Sequence, residues 1–223
     1  MKERPIMFKA EMVRAILDGK KTQTRRPIKH RHDWMIEERD DGRSWPYHPG
    51  YVYGDEGDWM RCPFGVPGDR LWVKETWRPR VVHSHGLDAC DCGDVEIDFA
   101  AGGATKFVSD YDLTEVAFGW EIPKAANRGN VSPLFMPRWA SRITLEVVDV
   151  LVQRVQSIIE EDAIAEGVDA VSMADVPRQA TMSRRADFAQ LWDRLYAKTA
   201  SAWALNPWVW VVEFRRVNEA RNG

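Results

Sequence analysis

The sequence has little cysteine and no long apolar segment. Three of its 223 residues are cysteines, at positions 62, 90 and 92, too few and too clustered for a disulfide framework. No apolar run approaches the roughly 20 residues that a membrane span needs. No apolar region of the signal-peptide type follows the first residues, Met1–Pro5. These absences predict a cytoplasmic protein in a reducing compartment, with no membrane partner. The sequence shows no internal repeat.

The net charge of −3 conceals a strong asymmetry along the chain. Residues 1–32 carry ten Lys and Arg against three acidic residues, whereas residues 33–60 carry eight acidic residues against two arginines. Residues 85–121 carry nine acidic residues against one lysine. A basic beginning beside acidic stretches indicates a local positive site and not a basic coat. We therefore expect no binding of duplex DNA, while a nucleotide, a nucleoside or a short single strand remains open.

Tryptophan is several-fold more frequent than usual, with eleven in the chain. Its large amphipathic ring suits half-buried positions and also suits stacking on nucleobases. At any single position, core or rim packing is the favoured interpretation.

A basic, hydroxyl-rich segment follows the first predicted helix. Apolar residues recur at helical spacing over residues 8–17, and Gly19 stands where a helix ends in the left-handed conformation. The next seven residues read Lys20-Lys21-Thr22-Gln23-Thr24-Arg25-Arg26. Such a segment suits an anionic or nucleotide-like ligand, or a nucleophile in a cationic setting. A solvated strand leaving a surface helix is the alternative.

The middle of the chain contains two long irregular stretches. Residues 30–70 are rich in Asp, Gly, Pro, His and aromatic residues without periodicity, which predicts loop with short extended pieces. The turn Pro67-Gly68-Asp69 then opens a strand in which Glu75 shares a face with apolar residues. Glu75 is either a paired inward carboxylate or a sign that the strand ends before it. Residues 78–135 predict a long insertion of the lid or disordered type.

The C-terminal part begins with a strand and a short helix. Residues 143–152 are β-branched and alternating, which predicts a strand. Ser157 and Glu160 form a capping-box pattern for a helix that ends at Gly167. This places Glu166 at the negative end of the helix dipole, where a carboxylate needs a cation. The basic segment at 20–26 is the natural supply, and a hydrated surface glutamate is the alternative.

Two further elements complete the prediction. An amphipathic helix is expected after Ser183, and residues 206–214 predict a closing strand that is apolar on both faces and therefore central or covered. The order of elements predicts an α+β fold with a small mixed or closed sheet.

Together these landmarks resemble the ASCH domain family, a branch of the PUA-like β-barrel superfamily. The resemblance is carried by five stretches: residues 17–26, Pro67–Val73, 143–152, 157–167 and Trp208–Phe214. It looks closest to the long, tryptophan-rich ASCH proteins of phages and prophages. It implies a single domain over residues 1–223, a PUA-like mixed β-barrel with flanking helices. Insertions at about 30–66 and 78–135 are not covered by the resemblance.

The resemblance also implies an activity. Some small bacterial ASCH proteins are amidohydrolases that remove the acyl group from N(4)-acetylcytidine and related acylated cytosines. Their catalytic set is a lysine, a threonine three residues later and a glutamate from a helix after a later strand. Carried across by motif, these fall on Lys21 as the base, Thr24 as the nucleophile and Glu166 as the orienting carboxylate and proton carrier. The expected partner is a small-molecule nucleoside substrate, with RNA as a further possibility.

The chemistry of these residue types sets its own conditions. A threonine hydroxyl is inert unless a base takes its proton, and Lys21 can be that base only if its pKa falls. Neighbouring cations and partial burial lower the lysine pKa, whereas a close Glu166 favours the charged form. Positions 21 and 24 face opposite ways in a regular strand. The mechanism therefore requires Lys21 to lie in the turn before the strand.

Further candidate residues follow from position. The flanking strands make three residues candidates for the wall of the substrate pocket: Arg26, Trp72 and Glu75. The scheme demands no metal and no cofactor. A structural zinc is the less favoured interpretation of a Cys/His cluster with unusually tight spacing, and a flexible acidic loop is the favoured one. The cluster consists of His83, His85, Cys90 and Cys92.

The main alternative function is a non-catalytic RNA-binding module, as in much of the PUA-like superfamily, and ribonuclease activity is a second alternative. RNA binding predicts a continuous basic surface and a steep salt dependence. Catalysis predicts a closed pocket of nucleoside size with Lys21 inside it. The acidic insertion argues mildly against RNA, and fold alone does not decide function.

Overall fold

The computed structural model of the chain describes residues 1–29, 34–50, 57–82, 93–109, 111–113, 120–168 and 183–217. None of the helices in these ranges has the length and apolar character that a bilayer span requires.

Eleven strands and three α-helices are described, with short 3-10 turns between them. The strands are β1 (Glu3–Met7), β2 (Gln23–Pro27), β3 (Met35–Glu38), β4 (Ser44–His48), β5 (Asp58–Trp59), β6 (Arg70–Lys74), β7 (Trp77–Val81), β8 (Val95–Phe99), β9 (Lys106–Val108), β10 (Thr144–Arg154) and β11 (Trp208–Val217). The helices are α1 (Ala10–Leu17), α2 (Glu160–Ala165) and α3 (Arg184–Tyr196). The 3-10 turns are Lys124–Arg128, Pro133–Phe135, Arg138–Ala140, Val155–Ser157 and Trp203–Leu205.

A five-stranded mixed sheet forms the centre of the molecule, in the order β1-β6-β10-β11-β2. The β1–β6 pair is parallel and the other pairs are antiparallel. Strand β11 lies between β10 and β2, and its residues 209–212 are all buried. Its apolar residues on both faces are explained by this central position, as the sequence predicts.

Each face of the central sheet carries its own core. On one face α1 contributes Val13 and Ile16 to a cluster that contains Val212 of β11. On the other face α3 contributes Phe188 and Trp192 to a cluster with Val211. Alternate residues of β11 therefore serve opposite cores, which is the two-residue period of a strand covered on both sides.

The α+β class is confirmed, but the described strands do not close into the expected barrel. In those parts of the chain β1 and β2 are the two edges of the central sheet, and no pairing joins them. Helix α1 lies between these two strands in the sequence and packs its apolar side into the same core. Helix α1 therefore covers the core on this face of a sheet whose two edge strands are not paired with each other.

The two predicted insertions contain small sheets. Strands β3, β4 and β5 form one sheet within residues 30–66, and β7, β8 and β9 form another within the region predicted to be a lid or disordered. The second sheet has its own core, which includes Trp77, Ile97 and Val131. The described residues of the 78–135 insertion are therefore partly ordered as strands, so the disordered alternative does not hold for them, and its role as a lid stays a prediction. Strands of three to five residues are too short to show a clear period in the sequence.

One helix boundary is also wrong. Helix α2 begins at Glu160 and not at the predicted Ser157, which belongs to a 3-10 turn. Ile158 is 2% exposed and extended, because its side chain enters the core beside α3. The carboxylate of Asp162 accepts from the backbone N–H of Ile159 at 3.5 Å, so Asp162 takes the role that the sequence assigned to Glu160.

Candidate active site

The turn after α1 fixes the position of Lys21. Gly19 adopts a φ of 71°, and the backbone N–H groups of Lys20 and Lys21 both donate to the carbonyl of Ala15. The next N–H, of Thr22, donates to the carbonyl of Ala165 at the end of α2 at 2.9 Å. Helix end and turn are thereby tied together, so Lys21 lies in the turn before β2, as the proposed mechanism requires.

The ammonium group of Lys21 lies inside the protein. Lys21 is 3% exposed, and its Nζ donates to the carbonyl of Gln23 at 2.8 Å, to the carbonyl of Glu166 at 2.7 Å and to the Glu166 carboxylate at 2.8 Å. Three acceptors match the three protons of an ammonium. The Glu166 carbonyl would otherwise be an unsatisfied group at the end of α2. Burial lowers the pKa of Lys21, and the Glu166 carboxylate opposes that shift.

Glu166 follows the last residue of α2 and is 4% exposed. The sequence predicts that a carboxylate there needs a cation, and the structure supplies two. Besides Lys21, the Nη1 atom of Arg25 lies 3.4 Å from its Oε1 atom. Gly167 then turns the chain with a φ of 82°, and a Cβ added there would lie 3.1 Å from the Cβ of Lys21. Only glycine gives both the left-handed turn and this close approach.

Arg25 is the second cation beside Glu166, and it also contacts Gln23 and Asp162. Its guanidinium donates to the side-chain oxygen of Gln23 and, at 2.8 Å, to the carboxylate of Asp162 on α2. Its charged group also lies 6.0 Å from the ring centre of Phe188 on α3. The side chain is 1% exposed. Arg25 therefore contacts Oε1 of Glu166, whereas Lys21 contacts Oε2.

A cleft of about 610 Å³ opens beside this cluster. Its lining includes all three predicted catalytic residues, namely Lys21, Thr24 and Glu166. Thr24 is 2% exposed, and its side chain forms no hydrogen bond to other described residues. Among the predicted wall residues, Arg26 lines the cleft, and its guanidinium lies 5.1 Å from the ring centre of Phe8. The cleft falls in the size range of small-molecule sites.

Trp72 and Glu75 do not line this cleft. Glu75 is 1% exposed and follows the end of β6, where its carboxylate accepts two bonds from Arg142 at 2.9 and 3.0 Å. Burial raises the pKa of Glu75, and Arg142 opposes the shift. Both alternatives considered for Glu75 are therefore met: the strand ends before it, and it is a paired inward carboxylate. Its role in the described structure is to fasten Arg142, whose guanidinium lies 3.9 Å from the ring centre of Phe99.

The sequence did not predict the aromatic wall of the cleft. Phe188, Trp192 and Tyr196 of α3 line it, with ring centres 5.9 and 4.5 Å apart in that order. Phe8 lines the cleft as well, and its ring centre is 5.7 Å from the Lys21 ammonium. Helical spacing in α3 marks these rings as the buried face of a helix, and the sequence carries no further signal that they border a site.

The predicted zinc ligands lie outside the described residues, as all four fall within 83–92. Within the ranges that are described, no group of three or more His, Cys, Asp or Glu residues could hold a metal ion. Cys62 is a free, buried thiol, and burial raises its pKa to about 11.

Comparison with protein-family models, with curated proteins and with solved structures gives no match for this chain. Fold and site thus define a class and no more: an α+β protein with a buried lysine–glutamate pair in the wall of a cleft.

Proposed function

We propose that this chain is an ASCH domain of the PUA-like type that hydrolyses N(4)-acylated cytosine nucleosides, with Thr24 as nucleophile. One observation carries the proposal: Lys21 and Glu166, 145 positions apart, are in contact at 2.8 Å beside Thr24 in one cleft. Buried titratable groups with shifted pKa values in a cleft are typical of catalytic sites. The motif and the geometry therefore support the same three residues.

The proposed reaction begins from the neutral form of the pair. Transfer of one proton from Lys21 to the Glu166 carboxylate, across 2.8 Å, gives an amine and a carboxylic acid. The amine then takes the hydroxyl proton of Thr24 as its oxygen attacks the acyl carbon. The Glu166 acid protonates the departing N(4) amine as the C–N bond breaks. Cytidine leaves, and the acyl group stays on Thr24 as an ester.

Water completes the cycle. A second transfer from Lys21 to Glu166 restores the neutral pair, and the Lys21 amine takes a proton from a water that attacks the ester. The Thr24 oxygen departs with a proton from Lys21, which leaves the carboxylic acid product and the neutral pair. A return proton transfer from the Glu166 acid to the Lys21 amine restores the ion pair of the free enzyme, and the released acid ionises in solvent. No step requires a group beyond these three side chains and water.

The cleft has features that suit a nucleoside. Its α3 wall includes the half-buried ring of Tyr196 beside the buried rings of Phe188 and Trp192, and an accessible aromatic ring stacks on bases of any sequence. Exposed basic residues lie at its rim, Lys9 and Arg194 among them. The lining is therefore apolar on its walls and polar at the reacting end, as small-molecule sites are.

The direct test is conversion of N(4)-acetylcytidine to cytidine, followed by ultraviolet absorbance in the presence of a chelator. Wild type should turn over, and Lys21→Ala and Thr24→Val should each lose about a hundredfold or more. Lys20→Ala, the adjacent exposed lysine, serves as the matched control and should retain activity. The mechanism needs one proton shared by Lys21 and Glu166, so activity should fall on the alkaline side as the pair loses it. Because burial lowers the pKa of Lys21, this alkaline limb of the rate profile should lie below pH 10.5.

Two results would contradict the proposal. Full activity in Thr24→Val would exclude the threonine nucleophile. No turnover by folded wild type, across several acyl groups, would leave the RNA-binding module as the better-supported function.

A further inference from the structure

A second cleft, of about 670 Å³, lies at the other end of strand β2. It is lined by residues of β2, of β11 and of the small sheet β3-β4-β5 with its flanking loops. These are Pro27, Lys29, Trp34, Asp58, Trp59, Met60, Arg61, Pro63, Phe64 and Trp210. The insertion at 30–66, which the family resemblance leaves uncovered, therefore supplies most of this cleft.

The two clefts adjoin along β2. Arg26 lines the first cleft, and Pro27, the next residue, lines the second. Arg26 is paired in register with Trp210, which also lines the second cleft. Cross-strand partners project from the same face of a sheet with their Cβ atoms about 5 Å apart. Arg26 of the first cleft and Trp210 of the second are therefore neighbours on one face of the sheet.

Aromatic rings dominate the second cleft. Trp34 and Trp59 are half-buried, so part of each ring remains accessible. Trp59 is braced by Tyr47, with ring centres 4.8 Å apart, and Trp210 is braced edge-on by Trp45 at 4.9 Å. Rings held in this way are pre-organised, and stacking a base on them costs little side-chain entropy.

Two cations flank these rings. Lys29 and Arg61 are exposed, and neither forms an ion pair with the described part of the chain. Among the described residues of the lining, Asp58 is the one that is acidic. Aromatic platforms with neighbouring basic residues are the means by which proteins hold single-stranded nucleic acid. The phosphates of a chain passing from one cleft to the other would meet Lys29 and Arg61.

We infer that the second cleft binds the nucleotide next to the acylated cytidine in single-stranded RNA. This inference rests on the proposed function and narrows its substrate class from a free nucleoside to a short RNA segment. The reacting base occupies the first cleft, the neighbouring base stacks on Trp34 and Trp59, and the phosphate between them lies near Arg26.

The experiment compares two substrates, free N(4)-acetylcytidine and an RNA pentamer with a single central N(4)-acetylcytidine. Trp34→Ala should reduce kcat/KM for the pentamer about 5- to 150-fold, the range for loss of one stacked base. Turnover of the nucleoside should be unchanged. The double variant Lys29→Ala/Arg61→Ala affects only exposed side chains. It should weaken the salt dependence of pentamer binding by about 0.7 in log–log slope for each phosphate that the protein no longer neutralises.

A matched control is the double variant Lys124→Ala/Arg128→Ala, which removes the same charges from an exposed 3-10 turn outside both clefts. It should leave the ratio of pentamer to nucleoside kcat/KM unchanged. The inference is overturned if that ratio is also unchanged in Trp34→Ala and in Lys29→Ala/Arg61→Ala.

Binding of a labelled, unmodified pentamer, followed by fluorescence anisotropy, separates this inference from the proposed function. If Trp34→Ala binds the pentamer more weakly but wild type turns over no substrate, RNA binding at the second cleft is supported and the amidohydrolase activity is refuted. If wild type hydrolyses the nucleoside but wild type and both test variants bind the pentamer with equal affinity, the amidohydrolase activity is supported and RNA binding at the second cleft is refuted.

Discussion

Replacement of Lys21 by methionine tests the buried cluster most directly. Methionine keeps the length and apolar stem of the side chain but removes the cation. The Glu166 carboxylate, 4% exposed, would be deprived of its ion-pair partner at 2.8 Å, and only Arg25 at 3.4 Å would remain. Two carbonyl oxygens, those of Gln23 and Glu166, would be deprived of their donor as well.

The expected loss of stability is large. Removing one partner of a buried ion pair leaves an uncompensated charge and costs about 3–5 kcal/mol. With a urea dependence of about 2 kcal/mol per M, the unfolding midpoint should fall by roughly 1.5–2.5 M. Lys20→Met is the control, because the Lys20 side chain is 58% exposed and its ion pair with Asp18 spans 3.6 Å. Exposed pairs contribute about 0–1 kcal/mol, so its midpoint should shift by less than about 0.5 M.

Coupling between the partners gives a second readout. The double variant Lys21→Met/Glu166→Gln removes the stranded carboxylate together with the cation. It should therefore be more stable than the sum of the two single variants predicts, by about 1–3 kcal/mol. The reasoning is refuted if Lys21→Met unfolds at the same urea concentration as Lys20→Met, or if the two changes are additive.

Two further outcomes follow from the structure. Gly167→Ala and Gly68→Ala both place a Cβ at positive φ, 82° and 87°, which costs about 1–2 kcal/mol in urea unfolding. Gly167→Ala should cost more than Gly68→Ala, because its Cβ also meets the Cβ of Ala15 at 3.0 Å. Only Gly167→Ala should also lower turnover, because its Cβ would lie 3.1 Å from the Cβ of Lys21. The Cβ added at Gly68 meets nothing within 4 Å, so equal activities of the two variants would contradict this prediction. The hydrogen bond from Arg4 lowers the pKa of Asp69 to about 2. At pH values above its ordinary pKa of 3.8, the Asp69 carboxylate therefore stabilises the fold, and this stabilisation is lost as the pH falls towards 2. Asp69→Asn should therefore lower the urea midpoint at pH 6 but flatten its decline between pH 4 and 2, and an unchanged decline would count against the assignment.

The contact between Lys21 and Glu166 could be predicted because it depends on local signals. Gly19 and Gly167 each end a helix through a left-handed residue, and the sequence shows both. A carboxylate at a helix C-terminus needs a cation, and the basic segment after Gly19 is the densest supply in the chain. These rules relate Glu166 to the basic segment at 20–26, with a hydrated glutamate as the alternative, and the choice of Lys21 within that segment came from the family resemblance.

The rest of the site depends on long-range packing, which the sequence does not display. The rings of α3 have the spacing of an ordinary buried helix face, and nothing in that spacing shows that they end beside Arg25. The start of α2 was mispredicted for a related reason. Ser157 has the side chain of a cap, but burial of Ile158 at 2% exposure requires extended backbone there, and this tertiary demand overrides the capping preference. Trp72 lies on a strand that the sequence analysis expected to flank the site. Its ring centre is instead 5.4 Å from the Lys74 ammonium, and Trp72 is not part of the lining of the cleft.

The position of the proton between Lys21 and Glu166 decides whether this site can act as proposed. At 2.8 Å and an effective dielectric constant of 20, their attraction is about 6 kcal/mol, while desolvation costs several kcal/mol per ion. Two carbonyl acceptors favour the ammonium, and the charges of Arg25 and Arg26 disfavour it. Desolvation and the arginines therefore lower the pKa of Lys21, while Glu166 opposes the shift. A substrate that fills the cleft removes water from this wall, which penalises charge further. On the proposed mechanism, binding itself therefore shifts Lys21 towards the amine that the reaction needs.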